Sequence, residues 1–195
     1  MTTETHYKVA GCRIHCLQSG TGGKDVLLLH GASFQAATWD ELGTLGTISR
    51  EGYRATGLDL PGHGESPSCP VSKTRVLDAG IQELGLERPV LIGPSMGGEV
   101  ALDFALEHPD RVQALVLIGP VGVEKMQDRL ATLQLPVLII WGENDEIAPL
   151  EHGRLLQEKI QGARLVVFEE APHPAYLEKT DRWHRELLDF LKGLE

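Results

Sequence analysis

The chain has 195 residues, about one domain's length, with 42% apolar and 24% charged side chains, an ordinary balance for a soluble globular protein. A formal charge of −10 argues against nucleic acid or an anionic membrane as a partner, because both are polyanions. Apolar runs such as VLLL and VLII fall far short of a membrane span, and MTTETHYKVA lacks the basic-then-apolar order of a leader.

In chain order, YKVAG and RIHCLQ predict an opening hairpin, and DVLLLHG (25–31) a buried third strand. TWDELGTLGTISREG predicts one helix ending at Gly52, followed by a strand in YRATGLDLPG and a helix in VLDAGIQELG. RPVLIGPS is the fifth strand, leading straight into the helix MGGEVALDFALEHP. VQALVLIGP, PVLIIWG and ARLVVFEEA complete eight strands, with a helix in LEHGRLLQEKIQ before the last one. The closing DRWHRELLDFLKGL is amphipathic, with Trp183, Leu187 and Leu191 expected in the core. This alternation predicts an α/β fold, a single domain over 1–195 with a mostly parallel sheet, an antiparallel N-terminal strand and helices on both faces. Only residues 121 to 135 separate the sixth and seventh strands, so no cap domain is expected.

The cysteines number three, in no metal-like array, and suggest a reducing compartment with the cytoplasm as the default location. Cys12 and Cys16 share one strand face and read as packing residues. SGTGGKD resembles a phosphate loop only loosely: Gln18 replaces its first glycine and Asp25 its final hydroxyl.

Chemistry concentrates at GPSMGG. A strand that turns directly into a helix pushes one side chain, here Ser95, out at the sheet's carboxyl edge. Gly93 and Gly97 remove the side chains that would collide in so sharp a turn. A serine hydroxyl needs a base, itself oriented by a carboxylate, and both should follow the late strands. ENDEIAP offers Asp145, with Glu143 as fallback, and APHPAY offers His173. Ser95 as an ordinary helix cap, Asp145 as a turn residue and His173 as a solvated loop residue are the plain alternatives. Ala32, in the HGASF loop, and Met96, after the serine, would supply oxyanion N–H groups, with His30 and Gly31 shaping that loop. His63 and Asp59 read as loop architecture with a pocket-wall role. His6 and His15 lie on the hairpin, and His108, His152 and His184 are expected to face solvent.

With LLLHGASF, LDLPGHGES, GPSMGG, WGENDEIAP and APHP in order, the chain resembles an α/β-hydrolase over nearly its whole length. The resemblance implies Ser95 as nucleophile, His173 as base, Asp145 as orienting acid, and Ala32 and Met96 as the oxyanion hole. TWDELGTLGTISREGYRATGLDLPGHGES and APHPAYLEKTDRWHRELLDFLKGLE are similar to the alpha/beta hydrolase domain-containing protein 14 subfamily. That similarity implies acyl-ester substrates, a cytoplasmic or nuclear location and, as an alternative, acyl transfer from acetylated lysine to coenzyme A. For coenzyme A the available cations are Lys73, Arg75, Lys125 and Arg129. The expected activity is hydrolysis of short-chain carboxylic esters by a lidless enzyme with no cofactor and no metal. A non-catalytic binding protein on the same scaffold is the least favoured alternative.

Overall fold

A computed structural model describes residues 1–194. Its strands are β1 (Thr2–Val9), β2 (Cys12–Ser19), β3 (Lys24–Leu28), β4 (Tyr53–Leu58), β5 (Val90–Pro94), β6 (Ala114–Ile118), β7 (Val137–Gly142) and β8 (Arg164–Phe168). They form one sheet in the order β1-β2-β4-β3-β5-β6-β7-β8. β2 runs antiparallel to both neighbours, and every pairing from β4 to β8 is parallel. The helices are α1 (Ala36–Glu41), α2 (Thr44–Arg50), α3 (Lys73–Glu83), α4 (Ser95–Glu107), α5 (Val123–Met126), α6 (Leu150–Lys159), α7 (Ala175–Glu178) and α8 (Thr180–Lys192).

The central strands read as continuous apolar runs because both of their faces are covered. Leu27 and Leu29 join one core with α3, α4 and α6 residues such as Val76, Phe104 and Leu156. Val26 and Leu28, pointing the other way, join a second core with Trp39, Ile48 and Trp183 of α1, α2 and α8. Each such aliphatic side chain, fully buried, contributes about 1.5–3 kcal/mol. Trp183, Leu187 and Leu191 are all buried, as the helical spacing required.

Four expectations need correction. β1 begins at Thr2 rather than Tyr7, because an edge strand half in solvent tolerates the polar TTETH run. The single helix expected over 38–52 is two, broken at Leu42 and Gly43, which lets Leu45 and Ile48 face β4. His184 is half-buried and not simply solvent-facing: its Nε2 meets Thr44 Oγ1 at 2.9 Å, and burial lowers its pKa. Cys12 is not a free packing thiol, since a disulfide joins it to Cys69 and ties the hairpin to the loop after β4; Cys16 is free and buried.

The β6–β7 connection holds α5 and one 3-10 turn (Leu130–Thr132), which leaves the carboxyl edge of the central strands uncapped from that side. None of the described helices is long and apolar enough to cross a membrane.

Candidate active site

The carboxyl ends of β3, β5, β6 and β7 open onto one edge of the sheet, and the candidate side chains Ser95, Asp145 and His173 follow β5, β7 and β8. At the end of β5 the chain passes into α4 with no intervening loop, and Ser95 carries the turn at a φ of +48°. For a residue with a side chain this left-handed conformation is strained, which is typical of functional turns. A Cβ on Gly93 would lie 2.3 Å from Gly97 O, and one on Gly97 would lie 2.7 Å from His30 O. Both glycines are therefore required by close backbone approach, and the elbow has the construction the sequence implied.

β6 pairs with β5 so that Ile118 lies beside Pro94, and Gly119 thus follows in step with Ser95. Val121 N–H donates to Ser95 O at 3.3 Å and binds the two turns together. A Cβ on Gly119 would stand 3.0 Å from Asp145 Oδ2 and 3.5 Å from the His173 ring. Gly119 is a floor on which the carboxylate and imidazole rest. Sequence reading passed over it as the tail of a strand; its signal was a glycine at the same strand-end level as the elbow.

His173 Nδ1 lies 2.8 Å from Asp145 Oδ2, with the Asp145 side chain fully buried and the His173 side chain 18% exposed. The other oxygen, Oδ1, accepts from Ile147 N–H at 2.9 Å and Ala148 N–H at 2.8 Å. Asp145 is thus a turn residue as well, and the turn bonds are what aim Oδ2 at the histidine. A donating Nδ1–H leaves Nε2 as the basic nitrogen. Glu143, the fallback, turns away and accepts from Glu170 N–H at 2.9 Å.

The loop after β3 is held by two histidines. His30 donates from Nδ1 to Gly31 O at 2.8 Å and accepts Leu60 N–H at Nε2, 3.0 Å away. Both nitrogens are occupied in the neutral tautomer, and burial lowers the pKa of the ring. Since the C=O of Gly31 and the N–H of Ala32 belong to one trans peptide plane and point oppositely, the bond at Gly31 O sets the direction of the Ala32 N–H. Phe34 N–H adds a second bond to Gly31 O at 3.0 Å. His63, its ring tilted against His30 with centroids 4.8 Å apart, faces Ala32 O with Nε2 at 3.1 Å and Pro61 O with Nδ1 at 3.2 Å, and its Nε2–H tautomer donates to Ala32 O. The expected loop role of His63 thus acquires a definite partner. Asp59 is buried and holds Ala36 N–H at 2.6 Å, as loop architecture should.

Two apolar side chains border the serine. Phe34 and the Ser95 Cβ both contact the position a Cβ on Gly31 would take, at 3.3 and 3.7 Å. Met96, the residue after the serine, lines a groove of about 480 Å³ with Ser72, Lys73, Lys125, Met126 and Arg129. Three of the four cations singled out in the sequence therefore share one groove; Arg75 is not among its lining residues. Lys125 and Arg129 face Glu99 and Asp103 there, at 3.4 and 3.5 Å.

The family described as alpha/beta hydrolase fold matches residues 25–134 and 123–180. ABHD14B from Homo sapiens, provisionally named a protein-lysine deacylase, is 35% identical over 91% of this chain and 87% of its own length. Protein ABHD14A from Danio rerio is 38% identical over 87% of this chain, which spans only 65% of that relative. A crystal structure described as a predicted CIB-like hydrolase from Thermoplasma acidophilum superposes with a TM-score of 0.94 at 26% identity, covering 99% of both chains. Sheet order, elbow and sequence relatives agree, and the chain belongs to the α/β-hydrolase family.

Proposed function

We propose that this hydrolase cleaves short-chain acyl esters through Ser95, His173 and Asp145. The observation that carries the reading is the His173–Asp145 pair, 2.8 Å apart and seated on Gly119 in step with the Ser95 elbow. In the first half-reaction Ser95 Oγ attacks the acyl carbonyl while His173 Nε2 takes its proton. Asp145 keeps the imidazole in the Nδ1–H tautomer and stabilises the imidazolium that forms. The N–H groups of Ala32 and Met96 receive the oxyanion, each such donor being worth about 2.7–4 kcal/mol. His173 then protonates the leaving alkoxide, and an acyl-Ser95 ester remains. Water, deprotonated by His173, attacks that ester and frees the acid and the serine.

Phe34 supports a preference for short acyl groups: its ring and the Ser95 Cβ lie 3.3 and 3.7 Å from the same point, where a Gly31 Cβ would stand. A panel of p-nitrophenyl esters of increasing acyl length tests this: kcat/KM should be highest for the shortest chains. A maximum at long chains would refute it.

One observation favours a second acceptor. The groove beside Met96 gathers Lys73, Lys125 and Arg129, cations of the kind that hold phosphates. In this reading the acyl group, taken from a lysine amide as the name of the human relative suggests, passes from Ser95 to the thiol of coenzyme A. Sulfur forms the new thioester bond as the serine ester breaks, and His173 moves the proton. Glu99 and Asp103 already engage two of these cations, which weakens the groove as a phosphate site and keeps hydrolysis first. Acyl-coenzyme A in the product mixture, lost in Lys73→Glu, would promote the transfer reading; acid alone leaves hydrolysis.

A further inference from the structure

Far from the serine, the N-terminal hairpin carries a cluster that ester hydrolysis does not use. Glu4 and His6 alternate onto one face of β1, and the register sets His6 directly across from His15 of β2. Side chains paired this way have Cβ atoms only about 4.5–5.5 Å apart. Glu4 Oε1 lies 3.5 Å from His6 Nε2 and 3.8 Å from His15 Nε2, and the donor atoms of all three residues fall within 4.8 Å of one another.

The state of His15 makes this more than a chance grouping. Its Nδ1 is 2.8 Å from Asp59 Oδ2, so the Nδ1 proton is committed and Nε2 presents a lone pair toward Glu4. Asp59 is itself fixed: Oδ1 accepts Ala36 N–H at 2.6 Å, and Oδ2 also accepts Glu65 N–H at 3.0 Å. A buried carboxylate that orients an imidazole through its far nitrogen is the outer support usual behind a metal-bound histidine. In front, a lone pair and a carboxylate oxygen face each other beyond hydrogen-bond range, an arrangement that a cation between them would stabilise.

We propose that Glu4, His6 and His15 bind a divalent transition-metal ion of the zinc type. Two imidazoles and one carboxylate suit such borderline cations and do not suit calcium or magnesium. Bonds of about 2.0–2.2 Å in a tetrahedron put donor atoms about 3.3–3.5 Å apart, so closing the site takes side-chain rotations of about 1 Å. Glu4 is 59% exposed, which gives the ion access and leaves further coordination positions to water. The bound ion would pin the edge strand β1 to β2. One group competes: an Arg13 guanidinium nitrogen lies 2.6 Å from His6 Nε2. Arg13 is exposed and has solvent to turn into.

Titration calorimetry of zinc chloride into the chelator-treated full chain at neutral pH tests the proposal. Wild type should take up one equivalent. His6→Ala and Glu4→Gln should each weaken binding at least about tenfold, a loss that removing even an outer-shell partner typically causes. Arg13→Gln should tighten binding by removing the competing cation. Circular dichroism checks that each variant is folded, and Ser95→Ala should bind zinc as wild type does, which separates this site from the catalytic reading. Absorption of the cobalt(II) form should change with His6→Ala. No uptake by wild type overturns the proposal. So does uptake that His6→Ala and Glu4→Gln leave unchanged.

Discussion

Asp145 grips the chain with one carboxylate oxygen and His173 with the other. Oδ1 closes the turn at Ile147 and Ala148, and Oδ2 meets His173 Nδ1 at 2.8 Å. Asp145→Asn keeps an oxygen for one of these tasks and replaces the other with an amide, which favours the wrong imidazole tautomer. The expected result is a loss of kcat on the order of 10⁴ with a folded protein. Glu143→Gln, whose carboxylate accepts from Glu170 N–H, should stay within about threefold of wild type, because the turn at Asp145 and the tautomer of His173 are set by other bonds. Steady-state kinetics on both variants checks the assignment; equal losses would return Glu143 to contention.

Gly119 has a φ of +48°, and a methyl group there would press on Asp145 Oδ2 at 3.0 Å. Gly119→Ala should cost about 1–3 kcal/mol of stability from backbone strain and displace the acid–base pair. A shift of about 1 Å in a catalytic group can cost about a hundredfold in rate. Urea unfolding and kcat, measured together, should therefore both fall, with the larger change in kcat.

His63 touches the loop after β3 and not the pair opposite. It is a positioning residue, and His63→Phe keeps a ring beside His30 while deleting the bond to Ala32 O along with the contact to Pro61 O. Its kcat should drop about 10–100-fold while KM changes little, because a misaimed oxyanion donor weakens the transition state selectively. Restoration by His63→Gln, which can again donate to Ala32 O, would support the assignment. A rise in KM alone would contradict it.

Burial lowers the pKa of His30 and of His184 below the ordinary 6.5. In the window between the lowered folded values and 6.5 the unfolded chain binds protons that the folded chain does not. Stability therefore rises with pH there: it is complete above 6.5 and is lost as the solution is acidified toward the folded values. Each group adds a slope of up to about 1.4 kcal/mol per pH unit. Urea midpoints measured across that window should decline on acidification, and His184→Gln should flatten part of the decline.

Much of the fold was legible because both faces of a parallel strand are buried, which makes runs such as VLLL and VLII stand out between helical patterns. The elbow was legible for a related reason: Gly93 and Gly97 are imposed by backbone collisions that any chain making this turn must avoid. The choice of Asp145 over Glu143 rested on a G-x-x-D turn after β7; in the structure Asp145 Oδ1 closes that turn and Oδ2 meets His173, whereas Glu143 meets Glu170 N–H. Less legible was whatever depends on contacts across the chain. Gly119 lies under Asp145 and His173, and half-buried His184 meets Thr44 of another helix. The Cys12–Cys69 link joins residues whose spacing carried no signal, and the pairing of His6 with His15 needs β1 to begin before Tyr7.

The central claim is that Ser95 is an activated nucleophile. Labelling with a serine-directed fluorophosphonate, followed by mass spectrometry of the tryptic peptides, tests it most directly. The account predicts one adduct, on Ser95, that is abolished in Ser95→Ala and strongly slowed in His173→Ala. A wild-type protein that stays unlabelled, or a Ser95→Ala variant that labels as well as wild type, would contradict it.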